Sequence, residues 1–150
     1  PVPSVQEFSG PIQHTLARYP YLVALGAGEI LRSAYASPFH TRAAYAWAAE
    51  TSIYIRQDAR GGGLGKALYQ HLETILARQG VLNLNACIAY PNPDSVAFHE
   101  RMGFNTVGHF HQCDFKLGRW YDMIWMEKTL GDHAVPPRPF VPFSELSDME

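Results

Sequence analysis

One stretch decides the fold of this chain: Gln57-Asp58-Ala59-Arg60-Gly61-Gly62-Gly63-Leu64-Gly65-Lys66. It follows a β-like run, Ser52 to Ile55, and leads directly into an apolar stripe with helical spacing that starts at Leu64. A strand, a glycine-rich turn and a helix start, in this order, direct several free backbone N–H groups toward a bound phosphate. Because glycine has no Cβ, the anion can approach the backbone closely. The stretch therefore predicts a phosphate-binding loop.

The spacing of the glycines excludes two common phosphate-binding motifs. A P-loop needs a hydroxyl residue after its lysine, but Lys66 is followed by Ala67. The dinucleotide fingerprint G-x-G-x-x-G does not occur in this stretch either. The pattern R-x-x-G-x-G does occur, with Arg60, Gly63 and Gly65. Arg60 and Lys66 add positive charge beside the helix start, which suits a pyrophosphate, although each could instead be a solvated surface charge.

The composition indicates one globular domain with a small-molecule partner. Apolar residues make up 47% of the 150 residues and charged residues 17%, which is enough for a single core. A formal net charge of −2 provides no basic field for nucleic acid. Cys87 and Cys113 lie far apart and are expected to be reduced thiols. No run of eighteen apolar residues and no signal-peptide pattern occurs, so we expect a cytoplasmic protein without a membrane partner.

Hydrophobic periodicity and turn residues predict an α+β chain with a mixed sheet and helices packed on it. Ser4-Val5-Gln6-Glu7 has the spacing of a capping box and predicts a short helix, followed by a second helical turn that carries Ile12 and Leu16. Asp94 is the predicted N-cap of a later short helix. The other predicted elements are strands at 21–25, 30–37 and 43–55 (irregular near 50–52), a helix from 64 that ends at Gly80, a strand at 82–88, a helix to Met102, and strands at 106–115 and 120–128.

The C-terminal segment differs from the rest in composition. Pro136, Pro137, Pro139 and Pro142 disfavour regular structure and favour an extended path. We expect a surface strap or a loose terminus. The chain is therefore divided into a domain at 1–130 and a proline-rich tail at 131–150.

The R-x-x-G-x-G pattern resembles the pyrophosphate loop of the GNAT superfamily of N-acetyltransferases. A second superfamily signature, N-x-x-[AS]-x-x-x-[YH]-x-x-x-G-F, is matched by Asn92, Ser95, His99, Gly103 and Phe104. The resemblance implies the GNAT acyl-CoA N-acyltransferase fold, a mixed and mostly antiparallel sheet with helices on both faces, and acetyl-CoA as the cofactor. It implies that the cofactor contacts Ile53, Tyr54, Ile55, Arg60, Gly61, Gly62, Gly63, Leu64, Gly65, Lys66, Asn92 and Ser95.

A narrower resemblance covers nearly the whole chain. The stretches 42–47, 50–54, 95–100, 115–122 and 136–139 are similar to those of the phosphinothricin N-acetyltransferase group. In that group the acceptor is the α-amino group of phosphinothricin or of an analogue such as methionine sulfoximine. The resemblance also implies a homodimer, with the hairpin at 115–120 and the tail as the expected interface.

The resemblance assigns the catalytic roles. Glu50 is expected to be the general base that takes the proton of the amine, with a pKa raised by its apolar neighbours; the alternative is a surface or cross-strand carboxylate. A backbone N–H at Tyr54 or Ile55 is the expected oxyanion donor. His99 could protonate the leaving sulfur, help to deprotonate the amine, or be structural. Asn92 could contact the pantetheine arm or form an Asx turn.

Acceptor binding is expected at the segment before the loop strand. Arg42 is the expected carboxylate partner, with the backbone of Ala43, Ala44 and Tyr45 beside it and Phe39 and Tyr45 as walls. No metal site is expected. His109 and His111 are interpreted as surface strand positions, because no partner ligand lies near them at a metal-site spacing.

Family members normally begin with a strand and a helix before the region that resembles Pro1-Val2-Pro3, and the sequence shows neither. We therefore expect acetyl-CoA binding to be retained better than acceptor specificity. Two other functions stay open at this point. The chain could acetylate a different amine, such as a polyamine, an antibiotic or a peptide N-terminus, or it could be a non-catalytic acyl-CoA-binding module.

Overall fold

A seven-stranded sheet forms the centre of the structure, with the strand order β1-β2-β3-β4-β5-β7-β6. The computed structural model describes residues 4–7, 18–26, 28–56 and 63–146. The strands are β1 (Ser4–Glu7), β2 (Tyr21–Gly26), β3 (Glu29–Pro38), β4 (Ala48–Ile55), β5 (Asn83–Tyr90), β6 (Asn105–Lys116) and β7 (Arg119–Thr129). The helices are α1 (Leu64–Gln79) and α2 (Pro93–Arg101), with 3-10 turns at Ala43–Tyr45 and Phe143–Glu145.

Every neighbouring pair of strands is antiparallel except β4 and β5, which are parallel and joined by α1. The predicted mixed, mostly antiparallel α+β sheet is confirmed. The two α-helices lie on one face, where Tyr69 of α1 stacks on Phe98 of α2 at 5.7 Å between ring centroids. The 3-10 turn Ala43–Tyr45 lies on the opposite face, since Phe39 contacts both Tyr45 and Trp125 of β7 there.

The prediction of a helix at Ser4-Val5-Gln6-Glu7 is wrong, because these residues form β1 and pair with β2 in the register Ser4↔Leu25. Sheet pairing outweighs the capping-box spacing, which would stabilise a helix end by only about 1 kcal/mol. The predicted helical turn with Ile12 and Leu16 lies outside the described residues.

The strand predicted at 43–55 begins five residues later, at Ala48, because Ala43–Tyr45 forms a 3-10 turn. The irregularity predicted near 50–52 also takes a different form. β4 keeps a regular register with β3 from Pro38↔Ala49 to Arg32↔Ile55. Instead, β4 diverges from β5, with which it pairs only over Ala48, Ala49 and Glu50.

The core lies between the sheet and the two α-helices. The apolar stripe of α1 is buried at Leu68, Leu72 and Leu76, and the helix ends as predicted at Gly80, whose φ of 96° suits a residue without Cβ. The sheet presents alternate residues to this core, among them Leu84 and Ile124. Among the described residues no helix is both long and apolar enough to span a membrane.

The hairpin of β6 and β7 is confirmed to within about a residue at each end. Leu117 and Gly118 form its two-residue turn with φ values of 52° and 78°, as a type I′ turn requires. The register shifts between Phe110↔Met123 and Asp114↔Tyr121, so β6 has extra residues between these pairs. Because of this bulge, the residues of β6 that lie opposite β7 differ from those that regular strand alternation would predict.

The proline-rich segment runs as a strap across the end of α1. Arg138 donates from Nη2 to the carbonyl oxygen of Ala77 at 2.8 Å, satisfying a helix C-terminal acceptor. Val141 N donates to the carbonyl oxygen of Gln79, and the buried Gln79 side chain donates in turn to the carbonyl oxygens of Arg18 and Val141. Phe140, Phe143 and Leu146 pack against the core.

We expect Gln79→Leu to lower the free energy of unfolding by about 1–3 kcal/mol, because two backbone carbonyls lose their donor in a buried setting. Urea denaturation followed by far-UV circular dichroism measures this change. Gln70→Leu is the matched control, since Gln70 lies exposed on the same helix. Equal stability of the two variants would mean that the Gln79 amide does not tie the tail to the domain.

Candidate functional site

A cavity of about 650 Å³ opens where β4 and β5 part. The two parallel strands are paired only up to Glu50↔Asn85 and diverge beyond that point. The cavity is walled by the end of β4, the start of α1 and one side of α2. Of the residues predicted to bind the cofactor, it brings together Ile53, Tyr54, Ile55, Gly63, Gly65, Lys66, Asn92 and Ser95. Arg60, Gly61 and Gly62 lie outside the described residues, and the side chain of Leu64 is not described.

The backbone of β4 presents alternate N–H groups to this cavity. Arg56 N donates to the carbonyl oxygen of Leu31 in β3 at 2.8 Å. This bond shows which backbone N–H groups of β4 are directed at β3. In an antiparallel pair these residues alternate, so Tyr54 also directs its N–H toward β3. Ile53 and Ile55 direct theirs to the other side, where β5 has diverged. Of the two predicted oxyanion donors, Ile55 therefore has its N–H on the cavity side.

The start of α1 packs tightly against the cavity wall at Gly65. A Cβ on this residue would lie 3.2 Å from Cδ1 of Ile55 and 3.7 Å from Cε1 of Phe98. A side chain here would push Ile55 or Phe98 toward the cavity. Gly63 is the N-cap residue with a φ of 74°, a conformation that glycine adopts without strain.

Arg32 is a wall residue that the sequence analysis missed. It lies on β3, its relative exposure is 4%, and it lines the cavity beside Gly65. An arginine within the mostly apolar run Ile30-Leu31-Arg32-Ser33-Ala34 was the available signal, since a charged residue is rarely buried in such a strand. Arg32 adds a cation to the wall near the helix start.

The start of α2 is capped by Asn92, which corrects the predicted cap at Asp94. Asn92 Oδ1 accepts from the backbone N–H of Ser95 at 3.2 Å, and Pro93 takes the first helical position. The Asn92 side chain therefore bonds three residues ahead as a helix cap, rather than two residues ahead as in the Asx turn that was its alternative. Asn92, Asp94 and Ser95 all line the cavity, so the first turn of α2 forms its wall opposite α1.

His99 lies in the core between α1 and α2, with a relative exposure of 3%. Its Nδ1 lies 2.8 Å from the carbonyl oxygen of Ser95, and its Nε2 lies 3.2 Å from the hydroxyl of Tyr69. Since the carbonyl can only accept, Nδ1 carries the proton and Nε2 accepts from Tyr69. Tyr69 is also bonded to the Thr51 hydroxyl at 2.5 Å. The chain Thr51–Tyr69–His99–Ser95 therefore links β4 to the first turn of α2.

Glu50 lies at the point where β4 and β5 part, on the face opposite the α-helices. Its neighbours along the strand, Ala49 and Thr51, are buried on the helix face, so the pleat turns Glu50 the other way. Burial raises the pKa of the Glu50 carboxyl. The carboxylate is thus poised to take up a proton nearer to neutral pH than an exposed glutamate.

Cys87 is a second residue at this point that the sequence analysis did not assign. It shares the Glu50 face, because Asn85 pairs with Glu50 and Cys87 follows two residues later in β5. Burial first, and then the negative charge of Glu50, raise the pKa of the Cys87 thiol to about 11. The thiol is therefore protonated at neutral pH and is a poor nucleophile.

The predicted acceptor segment lies on the Glu50 face. Phe39 makes edge contacts with Trp125 at 6.1 Å and Tyr45 at 6.3 Å between ring centroids. His40 stacks on Tyr45 at 4.8 Å. Arg42, Ala43, Ala44 and Tyr45 are exposed and do not line the cofactor-sized cavity; Ala44 and Tyr45 line a smaller groove of about 350 Å³ beside the tail.

The interpretation of His109 and His111 as strand residues without a nearby ligand needs correction. The pairing of β6 with β7 brings Asp122 to them, with Oδ2 at 2.8 Å from Nε2 of His109. The sequence separates Asp122 from His109 by the whole hairpin turn, so spacing alone could not show this proximity.

The neutral, buried state of His99 predicts a pH dependence of stability. An imidazole in the unfolded chain titrates near about 6.5, and burial lowers the pKa of folded His99. Between these two pKa values the unfolded state binds more protons, so the free energy of unfolding falls as the pH drops, by at most about 1.4 kcal/mol per pH unit.

We expect His99→Gln to flatten this slope between about pH 5 and 7, in urea unfolding at a series of pH values. His71→Gln serves as the control, because His71 is exposed on α1. If the parent and the His99 variant have the same slope, His99 does not carry the pH dependence.

Comparison with known proteins agrees with this geometry. Residues 1–125 match the family model of the acetyltransferase (GNAT) domain. Phosphinothricin N-acetyltransferase from Streptomyces viridochromogenes is 33% identical over 141 residues, or 94% of this chain and 76% of that protein. L-methionine sulfoximine/L-methionine sulfone acetyltransferase from Pseudomonas paraeruginosa is 37% identical over 113 residues, or 75% of this chain and 66% of that protein.

A solved structure shares the fold. The phosphinothricin acetyltransferase from Sinorhizobium meliloti, crystallised with acetyl-CoA, is 37% identical and superposes with a TM-score of 0.74 over 87% of this chain and 72% of that one. The fold and both sequence signatures are thus those of one family. The chain belongs to the GNAT acetyltransferase family and is similar, within it, to the phosphinothricin N-acetyltransferases.

Proposed function

We propose that this chain is an acetyl-CoA-dependent N-acetyltransferase that acetylates the α-amino group of a small amino acid analogue, such as phosphinothricin or methionine sulfoximine. The observation that carries the proposal is the parting of β4 and β5 after Glu50, which opens the cavity of about 650 Å³ on the helix side and leaves the Glu50 carboxylate beside the parting on the opposite face. The activities of the two relatives support the choice of acceptor.

The cofactor occupies the cavity in this proposal. The N-terminus of α1 binds the pyrophosphate through backbone N–H groups, with Lys66 and Arg32 adding positive charge. The cavity-side N–H groups of Ile53 and Ile55 bond the pantetheine arm as an adjacent strand would. This arrangement leads the thioester toward the end of the cavity where the two strands meet, close to Glu50.

The reaction is a direct transfer between the two substrates. Glu50 takes a proton from the ammonium group, and the free amine attacks the carbonyl carbon of the thioester. A backbone N–H on the cavity side of β4 donates to the oxyanion of the tetrahedral intermediate. The C–S bond then breaks, the attacking nitrogen releases its second proton, coenzyme A leaves as a thiolate that takes up this proton, and the neutral amide remains. Cys87 is not an acyl carrier, since its thiol stays protonated.

The role of His99 in protonating the sulfur stays a prediction. Both of its ring nitrogens are engaged within the core, and it is not a wall residue of the cavity. These contacts favour the structural alternative, in which His99 holds Ser95 and the first turn of α2 against α1. His99 is then a positioning residue for the cofactor wall.

The acceptor approaches from the Glu50 face. Phe39 and Tyr45 form an aromatic wall there, and the exposed Arg42 offers a guanidinium for the carboxylate of an amino acid. The homodimer and the cytoplasmic location also stay predictions. The exposed Phe115, Leu117 and Trp120 of the β6–β7 hairpin suit the expected interface.

The proposal is tested by thiol release from acetyl-CoA with a panel of amines: phosphinothricin, methionine sulfoximine, glutamate, spermidine and a peptide N-terminus. We expect kcat/KM to be highest for the first two. A higher value for spermidine or the peptide would assign a different acceptor. Acetyl-CoA binding without thiol release for any amine would instead indicate the non-catalytic module.

For the catalytic base, we expect Glu50→Gln to lower kcat by about 100-fold, with unchanged acetyl-CoA affinity because Glu50 is not a wall residue of the cavity. The parent should lose activity on the acid side as Glu50 protonates, at a pH above that of an ordinary glutamate because burial raises its pKa. The variant should lack this acid limb. Glu145→Gln, on the exposed tail, is the control.

Thiol-release assays measure the effect of this substitution on kcat, and isothermal titration with acetyl-CoA measures its effect on cofactor affinity. A Glu50→Gln enzyme with parental kcat and the same acid limb would remove Glu50 from the role of base. Cys87→Ser with parental turnover would agree with direct attack.

A further inference from the structure

A cluster of three possible metal ligands lies on the β6–β7 hairpin, away from the cavity described above. It consists of His109 and His111 of β6 and Asp122 of β7. One ligand atom from each lies within 4.8 Å of the others. The two imidazole rings stack at 4.4 Å between centroids with an interplanar angle of 11°, so their edges face the same direction. Both histidines are exposed and Asp122 is half-buried.

The bulge in β6 holds the carboxylate of this cluster in place. Gln112 follows His111 directly and has a φ of 45°. Its backbone N–H donates to Oδ1 of Asp122 at 2.8 Å. This bond leaves Oδ2 for His109, whose Nε2 lies 2.8 Å away. Carboxylates that bind metals are commonly held by an outer-shell hydrogen bond, and the Gln112 N–H supplies such a bond to Asp122.

We propose that His109, His111 and Asp122 form a surface site for a divalent transition-metal ion of the Zn²⁺ type. Two imidazoles and one carboxylate are the donor set of many zinc sites that keep an open position for water. Hard cations such as Mg²⁺ and Ca²⁺ prefer sites made entirely of oxygen. The site goes beyond the acetyl transfer proposed above and does not depend on it.

The geometry needs only small adjustments to close around the ion. With ligand bonds of about 2.0–2.2 Å in a tetrahedral site, the ligand atoms stand roughly 3.4 Å apart. Nε2 of His109 and Oδ2 of Asp122 would therefore separate by about half an ångström from 2.8 Å. His111 would close the remaining gap by side-chain rotation, which its exposure permits.

Cys113 is the competing ligand that the test must separate from this cluster. It is an exposed free thiol in the same bulge, and a thiolate binds Zn²⁺ strongly. Its Sγ contacts the carbonyl oxygens of Phe110 and Tyr121 at 3.8 and 3.9 Å. A site that used Cys113 would be a different site from the one proposed.

The test is isothermal titration of the whole chain with ZnCl₂, with Co²⁺ absorption spectra as a second readout. The parent should bind one Zn²⁺ per chain, and His111→Asn and His109→Asn should each lower the affinity at least tenfold. Asp122→Asn should also weaken binding while keeping an acceptor for Gln112 N–H. His71→Asn, an exposed histidine on α1, should bind like the parent.

Melting temperatures with and without Zn²⁺ show whether each variant is folded, so that lost binding is not confused with unfolding. Parental Zn²⁺ affinity in both His109→Asn and His111→Asn would overturn the proposal. So would loss of binding in Cys113→Ser together with a thiolate-to-cobalt charge-transfer band in the parent. Absence of Zn²⁺ binding by the folded parent would overturn it as well.

Discussion

The separation of β4 from β5 is the constraint on which the site depends. The two strands pair over only three residue positions, ending at Glu50↔Asn85. A parallel ladder that continued would use the N–H groups of Ile53 and Ile55 and close the cavity. Because β4 stays in regular register with β3, its free edge is still directed at the gap. The N–H groups of Ile53 and Ile55 therefore remain unpaired with β5 and face the cavity.

Both sides of this gap are braced from within the core. Thr51 of β4, Tyr69 of α1 and His99 of α2 form a continuous hydrogen-bonded chain that ends on the carbonyl oxygen of Ser95. Burial raises the pKa of Tyr69, so the phenol stays an un-ionised donor. Stacking of Tyr69 on Phe98 and Phe104 adds apolar contact around these bonds. The two walls of the cavity are therefore connected through the core.

The sequence predicted the elements whose signals are local. Glycines at 63, 65 and 80 marked the start and end of α1, and alternation marked β5. Prediction from the sequence failed where a contact with a distant part of the chain determines the structure. Ser4–Glu7 is a strand because β2 offers it an edge, and Arg32 is a wall residue because α1 folds back over β3. Asn92 caps α2 because its Oδ1 accepts from Ser95 N, whereas the sequence pattern favours Asp94 as the cap.

The sheet separates the two chemical requirements of an acetyl transfer. The helix face supplies the cavity, with positive charge from Lys66 and Arg32 and the positive ends of two helices, which suits a polyanionic cofactor. The opposite face carries Glu50, whose pKa would fall if those charges lay beside it. Placing the carboxylate across the sheet from the cations preserves its raised pKa. In the proposed reaction, the strand gap lets a thioester held on one face meet an amine activated on the other.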